Sequence, residues 1–275
     1  MENLITDECI ETSEEKMLFH RLFGFLIPDD EQHEIMDIVS DTINDCPLIE
    51  KEGNISIEQA APIALETMGK FDKKYVKKLL KITYREYDDL KPDSYITKIV
   101  FKKRFNKIKG CVDEIGIPQK ISMTSPIWLG HEYMHALKDT EVKEYLLKDI
   151  SSEVIPFFYE LVMANEEFPK LKEEWKSKRL GMLSYDNEYY KEAKKRREEN
   201  PDAFDKIKDA NGQYLSSYYY ALNLYHIYKK YPKEVLKEVN EVLKHKKNTI
   251  ELLKEFDIKK STNNTNIYIL EHENL

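Results

Sequence analysis

The chain has 275 residues, with 34% charged against 41% hydrophobic and only 8 Gly and 10 Pro, a balance that favours amphipathic helices around one large core over a turn-rich β protein. Its formal net charge of −8 argues against nucleic acid or an anionic membrane as the main partner, because phosphate binding needs a basic surface to displace counterions. Small molecules, peptides and proteins remain.

The N-terminal stretch MENLITDECIETSEEK is acidic and lacks a basic region followed by an apolar one, so it does not read as a secretory signal. No run is long enough to span a bilayer. Cys9, Cys46 and Cys111 are far apart and form no C-x-x-C pair, as expected of reduced, mostly buried thiols. Together these features predict a cytoplasmic protein.

From residue 14 to 110 helical periodicity alternates with short breaks, as over Gln59 to Phe71 and Tyr75 to Tyr87. The lysines between Lys73 and Lys81 and the run Lys194 to Arg197 sit among acidic residues and read as solvated helix faces. After Pro118 the stretch Lys120 to Met123 alternates and predicts a short strand. A marked helix start follows: Ser125 suits the cap and Pro126 the first helical position, with the helix running to about Lys138. Further helices are predicted from Ser151 and Ser152 to about Asn165, over Gln213 to Lys230, near 233 to 246 and near 248 to 256, with the tail from Ser261 a loop. The expected fold is mainly α-helical and two-lobed, with at most a small β element. It divides into an N-terminal helical region, 1–110, of unassigned role and a chemistry-bearing region, 111–275.

The sharpest signal is His131-Glu132-Tyr133-Met134-His135, an H-E-x-x-H sequence inside a predicted helix. Residues four apart stack on one helix face, so the two imidazoles can converge on one metal ion. Glu132 is rotated by about 100° from His131, which lets it act as general base on a water without ligating the ion. Zinc is the default for such a set, although the same ligands take other divalent ions.

A catalytic zinc needs a third protein ligand. The metzincin extension fails, because Lys138 and Glu141 stand where it has Gly and His. A Glu on a later helix is the alternative, and Glu153 lies 18 residues beyond His135, room for a turn and a returning helix. Glu160 follows two turns on along the same face and reads as a partner that orients a His. Asp149, Glu144 and Glu141 compete with Glu153, and Pro156 has to be accommodated in the first turn of that helix or at a kink.

Three segments in the same order resemble the thimet oligopeptidase and oligoendopeptidase F family of zinc peptidases, a gluzincin type, over about residues 119 to 258. Leu129-Gly-His-Glu-Tyr-Met-His-Ala136 resembles its H-E-x-G-H-A helix. Glu153-Val-Ile-Pro-Phe-Phe-Tyr-Glu160 resembles its downstream helix, and Tyr214-Leu-Ser-Ser-Tyr218 its Tyr-x-x-x-Tyr segment. The resemblance implies zinc on His131, His135 and Glu153, base catalysis by Glu132, and transition-state contacts from Tyr214 and Tyr218. In a chain with 18 Tyr, the same spacing also arises from plain core and rim packing.

Met134 replaces the family's usual Gly, Gly212 stands where many members have His, and the N-terminal half is short, which predicts a more open channel. The function implied is a zinc endopeptidase or oligopeptidase acting on peptides or unfolded protein. The rivals are a regulatory protease that cuts one protein partner, and a helical binding protein that keeps the metal without turnover. The presence of Glu132 argues against the last.

Overall fold

The structure is a computed structural model that describes residues 55–86, 101–106, 109, 111–118, 121–138, 148–179, 206–256 and 258. The readings on residues 1–54, Glu141, Glu144, the Lys194 run and the tail lie outside the described residues. As expected, the described part is mostly helical.

Helix α1, Ile57–Phe71, starts where Gln59 Oε1 accepts the Ser56 N–H at 2.8 Å, half of a capping box. It buries Ala60, Ala61, Ala64 and Met68. Helix α2, Lys73–Leu79, begins with Asp72 Oδ1 accepting the Lys74 N–H and turns Tyr75 and Leu79 inward. Lys73, Lys74, Lys77 and Lys81 stay exposed, the solvated face that the sequence predicts. The helix expected to reach Tyr87 stops at Leu79, because the chain then enters a sheet.

That sheet is the small β element the sequence reading allows for, in a place where that reading assigns no strand. Strands β1 (Thr83–Glu86), β2 (Lys102–Asn106) and β3 (Cys111–Ile117) lie in the order β1-β3-β2, with β1 parallel and β2 antiparallel to β3. The strand expected over 120–123 is reduced to a single bridge at Ser122. There the chain is already turning, since the carbonyls of Ser122 and Thr124 accept the N–H groups of Ser125 and Ile127.

Helix α3, Ser125–Lys138, is the centre of the fold, and all of its side chains are buried. Its start lies one residue earlier than predicted, so Ser125 sits within the first turn and its Oγ accepts the Ser122 N–H instead of capping the helix. Helices α1 and α2 and strands β2 and β3 pack around it. Tyr84 of β1 hydrogen-bonds hydroxyl to hydroxyl with Tyr133, and Lys103 of β2 reaches Glu132.

On another side lies α4, Lys148–Val162, which continues into a π-helical turn at Met163–Glu167, a 3-10 turn at Pro169–Leu171 and helix α5 over 172–179. Pro156 lies in the interior of α4, not in its first turn, so the helix loses one backbone hydrogen bond there. Helix α6, Lys206–Lys230, packs along α4, and α7 (Pro232–Leu243) and α8 (Thr249–Glu255) close the core. Tyr133, Phe157, Phe158 and Tyr159 are fully buried among these helices, each worth about 1.5–3 kcal/mol on leaving water. Residues from both sides of position 110 share this one cluster.

Helix α7 ends in a Schellman motif: the Lys246 N–H reaches the Glu241 carbonyl and the His245 N–H that of Val242. Its left-handed position, φ 56°, is held by His245 where glycine is the usual occupant. The His245→Gly variant is expected to gain about 0.5–1 kcal/mol in urea denaturation, since relieved strain exceeds the added chain entropy. A β-branched residue there should lower stability.

Candidate metal centre

Four residues of helical spacing bring the His131 and His135 rings to 5.0 Å between centroids on one face of α3. Glu153, in the second turn of α4, meets both. Its Oε2 lies 3.1 Å from His131 Nε2 and 3.1 Å from His135 Nε2. The three ligand atoms lie within 4.8 Å of one another, the group among the described residues that can hold a metal ion. Ligands about 2.0–2.1 Å from a tetrahedral zinc stand about 3.3 Å apart, close to the two observed edges. Asp149 lies on α4, but its side chain is outside the described residues.

Behind His131 stands Glu160, two turns along α4 and fully buried. Its Oε1 is 2.5 Å from His131 Nδ1, off the line of an ideal hydrogen bond. Arg179 grips the same carboxylate with both arms, Nε donating to Oε2 at 3.1 Å and Nη2 to Oε1, while Trp175 Nε1 donates to Oε2 at 2.9 Å. The spacing argument reached Glu160 but missed Trp175 and Arg179. Their one trace in the sequence is that they lie four apart, on one face of a helix.

The chemistry of this donor set fits a cation. With Glu160 Oε1 2.5 Å from Nδ1, the tautomer with its proton on Nδ1 is the favoured one, and in that neutral imidazole the opposite nitrogen carries a lone pair. Such a lone pair facing a carboxylate oxygen needs positive charge beside it. His135 Nδ1 is buried without a hydrogen-bond partner among the described residues, so that ring is oriented from its Nε2 side. Burial alone would lower His131, but Glu160 and then Glu153 outweigh it and lift the imidazole to about 9. Burial would likewise raise Glu153, yet His135 and His131 hold it well below the usual carboxylate range. Glu160 is also lowered against its burial, first by Arg179 and then by His131.

Glu132 is buried beside the ligands, and its Oε2 accepts the backbone N–H of Lys103 at 3.0 Å. One carboxylate oxygen is thus tied to the sheet. Tyr218 is buried on α6 with its ring edge-on to Phe157 at 5.4 Å, and Phe157 packs in turn against His131 at 5.4 Å. Burial raises the Tyr218 phenol above its ordinary range. Tyr214 lies on the same helix, but its side chain is outside the described residues. No described helix is long and apolar enough to cross a membrane. Comparison with protein-family models, curated proteins and solved structures finds no match to this chain.

Proposed function

We propose that the protein is a zinc-dependent peptidase of gluzincin type, resembling the thimet oligopeptidase and oligoendopeptidase F family, with zinc held by His131, His135 and Glu153. The observation that carries this reading is the meeting of both Nε2 atoms on one Glu153 oxygen, with Glu132 one residue away on the same helix. The fold we infer places α3 at the floor of a cleft between two helical lobes. Peptides or unfolded protein are the substrates, with a single protein partner as the narrower alternative.

Held by His131, His135 and Glu153, zinc would supply Lewis acidity toward a peptide carbonyl and a water. Glu132, its Oε2 fixed by the Lys103 N–H, takes the proton at its other oxygen and returns it to the leaving amine. Glu160 keeps the proton of His131 on Nδ1 and orients the ring. Tyr214, and Tyr218 as a neutral phenol, are the donors assigned to the tetrahedral oxyanion.

Elemental analysis of the purified protein beside its His131→Ala and Glu153→Ala variants tests the ligand set. About one zinc per chain is expected in the wild type and little in either variant. Zinc retained by Glu153→Ala would remove Glu153 from the set, and a wild type that takes up no zinc on reconstitution would sink the reading. One observation favours a second reading, a metal-holding protein without turnover: Glu132 is itself largely buried. A mixed peptide library left intact by the zinc-loaded wild type would select it.

A further inference from the structure

Arg179 stands outside every segment that carries the family resemblance, yet it is built into the metal centre from three directions. Its guanidinium lies 4.4 Å from the Trp128 ring and 4.7 Å from the Phe157 ring. Trp128 is one helical turn before His131 on α3, and the Phe157 ring packs on His131. The planar cation is therefore held by both ligand-bearing helices, with aromatic faces that attract it. Its free edge spans both oxygens of Glu160, a two-pronged contact that a lysine cannot reproduce.

With Trp175 on Oε2 as well, Glu160 has little freedom to rotate, and its Oε1 stays against His131 Nδ1. A fully buried Arg–Glu pair is weak support for stability, since apolar residues of the same volume usually do as well. What this pair does well is hold one carboxylate oxygen in one place.

We propose that Arg179 is a positioning residue for the metal centre: by clamping Glu160 it fixes the Nδ1–H form and the ring angle of His131, so that His131 Nε2 stays turned to Glu153 and His135 and open to a divalent cation. This rests on the metal-centre reading above. It adds a residue from α5 behind a ligand set carried by α3 and α4.

The test is a double-mutant cycle on zinc affinity, measured on the full chain by competition with a chromophoric chelator. Arg179→Lys and Glu160→Gln are each expected to weaken zinc binding by about 10–100-fold. Arg179→Lys added to Glu160→Gln should change affinity by less than about threefold, because the residue acts only through the carboxylate. Thermal unfolding with chelator present reports the fold separately. A merely structural Arg179 would lower that melting point and weaken zinc by the same factor in both backgrounds, and this result would overturn the proposal. So would an Arg179→Lys variant within about threefold of wild type.

If Arg179→Lys does not fold, the pair Arg179→Met with Glu160→Gln carries the test, since it leaves no buried ion unpaired. It should bind zinc as weakly as Glu160→Gln alone, and wild-type affinity in it would overturn the proposal. A wild type that binds zinc beside an unaffected Arg179 variant removes only this inference. A wild type that binds none removes the metal centre and this inference with it.

Discussion

Glu132→Gln is expected to lower peptide hydrolysis by about 10²- to 10⁴-fold while leaving the zinc content at the wild-type level. The two effects separate because Glu132 does not share the point on which His131, His135 and Glu153 meet. Glutamine is nearly the same shape, and its carbonyl oxygen can still accept the Lys103 N–H that holds Glu132. The fold and the anchoring of the side chain should therefore persist. What disappears is the negative charge that takes a proton from water. Steady-state rates on a fluorogenic peptide, with metal content measured on the same samples, check this. Hydrolysis within tenfold of wild type would show that the base lies elsewhere.

Gly130→Ala is expected to destabilise the protein by about 1–3 kcal/mol or more and to weaken metal binding with it. A Cβ at Gly130 would overlap the ring and hydroxyl of Tyr159. Tyr159 has nowhere to go. Its ring is fully buried beside Phe71, and its hydroxyl lies 2.6 Å from Thr67 Oγ1, whose own proton goes to the Ala64 carbonyl. Tyr159 therefore donates to Thr67, and the contact spans α1, α3 and α4 at one point. Forcing the helices apart there shifts α4 next to Glu160 and one residue from His131 on α3. Denaturation midpoints give the stability cost. Shortening Tyr159 to Leu should make the Gly130→Ala cost markedly smaller, so strictly additive losses would refute the steric account.

The sequence exposes the centre of the site because local signals coincide there. Pro126 starts a helix, the His131/His135 spacing puts two ligands on one face, and the returning helix puts Glu153 and Glu160 on one face of its own. Charged residues hide the sheet. β1 reads Thr-Tyr-Arg-Glu and β2 Lys-Lys-Arg-Phe-Asn, with no alternation of apolar and polar positions to betray a strand. They become strands because β3 lies between them and buries Val112 and Ile115 against the core. Arg179 is hidden for a related reason: an arginine on a polar helix predicts solvent, and only the packing of α5 against Trp128 and Phe157 makes it interior. The Gly130 contact is legible as a glycine beside His131, but not as the place where a tyrosine from another helix lies.

The bond from Lys103 to Glu132 crosses position 110, as does the pairing of β2 with β3. A fragment beginning at Cys111 would keep every proposed zinc ligand and the proposed base. It would strip β3 of both neighbours, remove Thr67 from beneath Tyr159 and leave the Glu132 carboxylate without its backbone donor. The smallest piece able to fold around this centre therefore begins no later than Ile55, just ahead of α1, and α1, α2, β1 and β2 are as much a wall of the site as the helix that carries the histidines.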